Sequence, residues 1–170
     1  LIPISVQICG TMTLDELDAF GMVRMDDTEI EGFLRVGRVA VLGLAAEGVP
    51  YLLPLSYGYD GDRTLYFTYV VGAESRKDEL TAQAEQASAL VYSAESKYNW
   101  ESVAMTGTLA ELPESEWEDH EEAIAGAWRP DLFEQATGVR DVRVYTFHVE
   151  EWTGIKHTGL PPGFADTRGE

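Results

Sequence analysis

Residues 50–70 read PYLLPLSYGYDGDRTLYFTYV. Two strand-forming, aromatic-rich segments, Tyr51 to Tyr59 and Thr64 to Val70, flank Asp60-Gly61. An Asp-Gly pair between such segments is a strong signal for an antiparallel hairpin. Pro54 has no N–H to give to a ladder, so it belongs at a strand edge or a ligand-facing bulge. Upstream, Val39-Ala40-Val41-Leu42-Gly43-Leu44-Ala45 is apolar on both faces, as in a strand buried on both sides or lining a barrel. Glu47-Gly48 turns it toward Tyr51. Downstream, Ala89 to Ala94, Ser102 to Leu112 and Val142 to Trp152 read as further strands. About six strands, mostly joined by short turns and with one helix inserted among them, specify a small antiparallel barrel with flanking helices (α+β), without βαβ crossovers. A barrel of that size has little room inside, so a cofactor would lie on its outer surface or between subunits.

The helical segments frame this barrel. Thr28-Glu29-Ile30-Glu31 has capping-box spacing, and Ile30, Phe33 and Leu34 recur at i, i+3, i+4, which predicts a short amphipathic helix ending near Gly37. Glu114 to Trp128 reads as an acidic helix, with Pro113 before it and Pro130 ending it, and Asp131 to Ala136 as one more turn. Residues 1–25 form an N-terminal arm with a short helix over Thr13 to Phe20, residues 26–153 the barrel domain, and residues 154–170 a Gly/Pro-rich C-terminal tail. No internal repeat or linker divides the chain.

A further helix opens at Ser75-Arg76-Lys77 and continues through Asp78-Glu79-Leu80-Thr81-Ala82-Gln83-Ala84, with Ser75 and Asp78 in capping-box spacing. Two cations in a first turn oppose the helix dipole by a few tenths of a kcal/mol each. A bound phosphate would explain them, because it can take the free N–H groups, the Ser75 hydroxyl and both positive charges at once. The plainer alternative is a solvated pair partly offset by Asp78 and Glu79.

That pair stands out against the composition: 12 Lys+Arg face 30 Asp+Glu, for a formal charge of −18. Such a balance argues against nucleic acid or an anionic membrane as partner. Only Lys77, Lys97 and Lys156 are lysines, and dispersed carboxylate with little lysine suits a halophilic surface, soluble in concentrated salt. Cys9 is single, which points to a reducing, cytoplasmic setting, and no apolar run approaches a membrane span. Leu1 to Val6 lacks the basic lead of a signal peptide. His120, His148 and His157 are far apart and, with Cys9, give no metal-ligand spacing.

In its order of features the chain resembles the pyridoxamine 5'-phosphate oxidase-related family of FMN-binding split barrels. The resemblance covers Asp26 to Trp152. It rests on the short helix leading into Arg38-Val39-Ala40-Val41-Leu42, the strand Pro50 to Tyr57, the hairpin to Leu65-Tyr66-Phe67-Thr68, the Ser75-Arg76-Lys77 helix start, and Trp100-Glu101-Ser102-Val103. It implies a homodimer with FMN in the subunit interface. By the same resemblance Arg76 and Lys77, assisted by Ser75, hold the phosphate. Leu53, Pro54, Leu55 and Ser56 lie along the ring, and Phe67 and Thr68 meet the ribityl-phosphate. Ser102 reaches in from the second subunit, and Trp152 closes the site. For Leu53, Leu55 and Phe67 taken singly, barrel core is an equal reading.

Two departures qualify the resemblance. The segment Tyr69 to Glu74 is longer than in the oxidase proper, and an Arg and His do not follow Trp152 in the oxidase's substrate-binding pattern. Oxidation of pyridoxamine phosphate is therefore not the expected activity. A flavin enzyme needs no protein nucleophile, so an FMN-dependent oxidoreductase using a reduced nicotinamide is the expected function. A non-catalytic flavin-binding module, or a split barrel holding a deazaflavin or haem, is the alternative.

Overall fold

Alternation of inward and outward side chains builds the sheet. In the computed structural model, which describes residues 21–72, 74–127 and 141–159, the elements in chain order are β1 (Met22–Met25), α1 (Asp27–Val36), β2 (Val39–Leu44), β3 (Tyr51–Tyr59), β4 (Thr64–Val71), α2 (Arg76–Gln83), β5 (Ala87–Ser96) and β6 (Asn99–Leu112). Two 3-10 turns (Glu114–Glu116 and Glu118–His120), α3 (Glu121–Ala125) and β7 (Asp141–Thr158) follow. Strands neighbour one another in the order β7-β4-β3-β2-β5-β6, and β6 pairs back onto β7, so six antiparallel strands close a barrel. This is the expected six-stranded split barrel. β1 is an extra strand, laid against the end of β7 through Met22↔His157 to Met25↔Gly154.

The barrel is filled, not hollow. Leu42, Leu65, Phe67, Tyr69, Val91, Val103, Tyr145 and Phe147 are fully buried in it. Residues of alternate strand faces thus supply one continuous core. A second, smaller core of Tyr66, Leu112, Ile124 and Val144 lies outside the sheet, under Trp117 and α3.

The ring of strands is complete but not continuous along its length. β2 and β3 pair from Val39↔Ser56 to Leu44↔Tyr51, whereas β3 and β4 pair only over Tyr57↔Phe67, Gly58↔Tyr66 and Tyr59↔Leu65. Beyond Tyr57 the two strands diverge, so residues 51–56 have a ladder partner on the β2 side alone. That opening is where Pro54 sits, and a missing N–H costs little there. The hairpin loop is held by Asp60, whose Oδ1 accepts from the Asp62 and Thr64 N–H groups at 2.7 and 3.1 Å.

Several boundaries differ from the sequence expectation, each for a local reason. The cap of α1 is Asp26, not Thr28: Asp26 Oδ1 accepts from Glu29 N–H at 2.8 Å while Glu29 Oε2 accepts from Asp26 N–H at 3.1 Å. Both candidates have acceptors at the right spacing, and β1 delivers the chain to Asp26 first. The acidic segment after Pro113 forms two 3-10 turns and a five-residue α3 instead of one helix from Glu114 to Trp128. Its carboxylates repel along a helix, and Trp117 is instead tied back through Nε1–H to the Leu112 carbonyl at 3.0 Å. β7 does not stop at Trp152 but runs to Thr158, pairing with both β1 and β6. Gly154 permits this, since a Cβ there would lie 2.8 Å from Met25 and Ile30. The short helix read at Thr13 to Phe20, Cys9, the turn at Asp131 to Ala136 and the tail beyond residue 159 lie outside the described residues.

Candidate functional site

α2 begins where the sequence places it, with Ser75 as its N-cap residue and Glu79 N–H donating to the Ser75 carbonyl at 3.0 Å. The expected capping box is absent. The Ser75 side chain makes no cap hydrogen bond. Asp78 turns away to β7, where the Tyr145 hydroxyl donates to its Oδ1 at 2.8 Å and Arg143 Nη1 lies 3.4 Å from its Oδ2. Among the described residues the first N–H groups of α2 have no side-chain acceptor.

Two buried tyrosines fix the rotation of this helix. Tyr69 of β4 and Tyr145 of β7 stack at 4.9 Å between ring centroids. The Tyr69 hydroxyl is 2.9 Å from Thr81 Oγ1, and Thr81 in turn donates to the Lys77 carbonyl at 2.7 Å. Burial pushes the Tyr69 phenol up to about 12, and burial together with the bond to Asp78 raises Tyr145 as well.

The cations then lie against rings carried by the two strands that bound the opening, β3 and β4. Arg76 lies over the Tyr51 ring at 5.5 Å and Lys77 over the Tyr69 ring at 5.1 Å. Among the described residues neither forms an ion pair with a carboxylate. Lys77 is half-buried, and that desolvation pulls its pKa below the usual lysine value, with Asp78 only partly opposing it. A half-buried ammonium and a guanidinium, in the first turn after a Ser75 hydroxyl and N–H groups that have no capping partner among the described residues, form a cradle suited to a phosphate. Ser75 and Arg76 open onto a groove of about 1060 Å³ whose walls also carry Glu47, Glu74, Asp78, Glu79 and Asp141 against Arg143.

The remaining sequence candidates divide by face. Leu53 and Leu55 turn inward and pack on the barrel core, and Phe67 is fully buried, so these three have only backbone to offer an outside ligand. Pro54 and Ser56 alternate with them, and Pro54 is exposed. Thr68 follows Phe67 on β4, next to the Tyr69 that Lys77 covers. Ser102 pairs with Tyr92 on β5 and Ile155 on β7, on the far side of the barrel from the opening. Trp152 is also remote within one chain: its Nε1–H donates to Asp27 Oδ1 at 2.8 Å, and Arg63 covers its ring at 4.0 Å. One chain therefore brings Ser75, Arg76 and Lys77 up to Tyr51 of β3 and Tyr69 of β4, while the Thr68 side chain alternates to the other face of β4 from Tyr69 and Ser102 and Trp152 lie elsewhere.

Sequence reasoning missed Tyr51, Tyr69, Asp78, Arg143 and Tyr145 as parts of this region. Their only signal was a tyrosine in each of three strands, which reads as core. It also missed a row of exposed apolar side chains on the outer face of β3, β2 and β5. Leu52 is 64% exposed, Tyr92 60%, Val39 45% and Leu90 38%. Leu52 lies beside Gly43, and Leu90 beside Val41, so the row is contiguous across three strands.

Among the described residues no group of His, Cys, Asp and Glu could hold a metal ion, and no helix is long and apolar enough to cross a membrane.

A family model described as pyridoxamine 5'-phosphate oxidase matches residues 26–156. Among curated proteins, an uncharacterised protein of Rhizobium meliloti is 27% identical over 97 residues, which span 57% of this chain and 62% of that protein. Among solved structures, an FAD-binding protein from Mesorhizobium loti superposes with a TM-score of 0.64 at 22% identity, covering 81% of this chain and 99% of the other. An FAD and haem binding protein from Mycobacterium smegmatis gives 0.62 at 16%, covering 83% and 75%. At these identities the structural likeness is one of fold. With the family model spanning well over half of its length, this chain belongs to the pyridoxamine 5'-phosphate oxidase family.

Proposed function

We propose that this protein binds flavin mononucleotide as a homodimer and acts as an FMN-dependent oxidoreductase, passing electrons from a reduced nicotinamide to an acceptor. One observation carries the reading: at the front of α2, in a chain of net charge −18, two cations that among the described residues have no ion-pair partner, and a Ser75 hydroxyl that makes no cap hydrogen bond, lie by Tyr51 of β3 and Tyr69 of β4. The residues fit a flavin phosphate. Lys77 and Arg76 would take its charge, Ser75 would donate a hydrogen bond, and Thr68 would lie along the ribityl chain. On the side away from β2, the backbone of residues 51–56 has groups to meet the polar edge of the ring, with Leu52 and Pro54 giving apolar surface beside it.

Two structurally similar proteins, from Mesorhizobium loti and Mycobacterium smegmatis, bind FAD, which supports a flavin here. We favour the mononucleotide because the sequence resembles the FMN-binding split barrels and the cations at the front of α2 suit a single phosphate. The exposed row of Leu52, Val39, Leu90 and Tyr92 supports a second copy on that face, from which Ser102 and Trp152 would complete the site. Residues 26–153 would then be the flavin-binding unit.

Bound flavin supplies the hydride and electron chemistry, so the protein's task is to bind, orient and exclude water. The visible spectrum of the purified protein, with the mass of the ligand released on denaturation, tests the cofactor. Flavin bands and the mass of FMN are expected; a haem Soret band, a deazaflavin or the mass of FAD would overturn the assignment. NADPH oxidation by the loaded protein tests turnover, and no consumption with any common acceptor would leave a flavin-binding module.

A further inference from the structure

We infer that Tyr145 and Arg143 are positioning residues that hold the Asp78 carboxylate away from the front of α2, so that an outside anion, not the chain's own acid, takes that end of the helix. The inference rests on the phosphate reading above and extends it to residues that never touch the ligand.

The same chain supplies its own control. At α1 an acceptor at the N-cap and an acid three residues later close a reciprocal capping box, Asp26 with Glu29. At α2 Ser75 and Asp78 stand at the same spacing, yet neither half of the box forms. The difference lies in what faces the acid. Tyr145 is buried to 1% exposure, and its hydroxyl holds Asp78 Oδ1 at 2.8 Å. Arg143 holds the other oxygen at 3.4 Å and is itself steadied by Glu111 at 3.5 Å. Tyr145 cannot drift, because its ring is stacked on Tyr69, whose hydroxyl is bonded to Thr81 on the same helix.

Released from this clasp, Asp78 would return to its default place over the Ser75 N–H. It would then sit beside Arg76 and Lys77 as a competing negative charge. Asp78 is thus an internal competitor for the cradle, and the two β7 side chains keep it withdrawn.

Dissociation constants for FMN and for riboflavin, measured on the full chain, test this. Riboflavin lacks the phosphate and reports the ring site alone. Tyr145→Phe should weaken FMN by about tenfold, the effect of one unit charge brought near the phosphate, and leave riboflavin unchanged. Adding Asp78→Ala to Tyr145→Phe should return FMN to within about twofold of the unmodified protein, because the competitor is gone. Arg143→Ala, at a half-exposed side chain, should show a smaller loss with the same rescue, and serves if Tyr145→Phe fails to fold. An FMN loss not rescued by Asp78→Ala, an equal loss for riboflavin, or no loss at all would overturn the inference while leaving the phosphate site standing. Equal affinity of the unmodified protein for FMN and riboflavin would overturn both.

Discussion

Replacing Arg76 and Lys77 together by alanine separates ligand binding from folding. Neither side chain has an ion-pair partner among the described residues, and both oppose the α2 dipole. Their removal should leave the ligand-free protein as stable as before, or more stable by a few tenths of a kcal/mol. FMN binding should move the other way. A charge-assisted hydrogen bond to phosphate is worth roughly 1.5–3 kcal/mol, and the low end applies to exposed Arg76 while half-buried Lys77 earns more. Together they contribute about 3–4 kcal/mol, a loss of roughly two to three powers of ten in affinity. Quenching of flavin fluorescence measures this directly, with riboflavin as the control for the ring site. An FMN affinity within threefold of the unmodified protein, or a matching loss for riboflavin, would refute the reasoning.

Three further outcomes are expected. The phenol of Tyr69 is pushed up to about 12 by burial, and Tyr57 and Tyr145 are raised by burial too. An acid whose folded pKa is raised contributes stability that is complete below about 10 and lost as pH climbs through the folded value. Urea unfolding should therefore show a loss of about 2–3 kcal/mol from Tyr69 alone between pH 9 and 12, and ionisation of all eight tyrosines near pH 10 in the folded state would contradict it. Leu52→Asp with Tyr92→Asp should convert the proposed dimer to monomer in sedimentation and abolish FMN binding with it; an unchanged sedimentation coefficient would remove this face from the proposed interface. Raising salt from about 0.1 M to above 1 M should increase the melting temperature by screening the net charge of −18, and a maximum in dilute buffer would argue against a halophilic surface.

Much of the fold was legible because its signals are local. Asp60-Gly61 between aromatic strands placed β3 at Tyr51–Tyr59 without error, and β4 within one residue. The change from helical spacing at Ile30, Phe33 and Leu34 to continuous apolar residues at Val39 marked the entry to the barrel. Ser75 was found as the start of α2 for the same reason. What stayed hidden depends on partners distant in sequence. Asp78 reads as half of a capping box until Tyr145 and Arg143, more than sixty residues on, take it away. The extension of β7 past Trp152 looks like tail, since Gly154 signals looseness alone and close packing only beside Met25 and Ile30. For the candidate site, spacing pointed to the cations. The inward turn of Leu53, Leu55 and Phe67 follows from strand phase, which the apolar faces of this barrel conceal.

A crystal structure of the protein grown with FMN is the most direct measurement. The account predicts the phosphate within hydrogen-bonding distance of the Ser75, Arg76 and Lys77 side chains, at the mouth where β3 and β4 part, with Asp78 still on Tyr145. A phosphate held elsewhere, with those two cations extended into solvent, would contradict it.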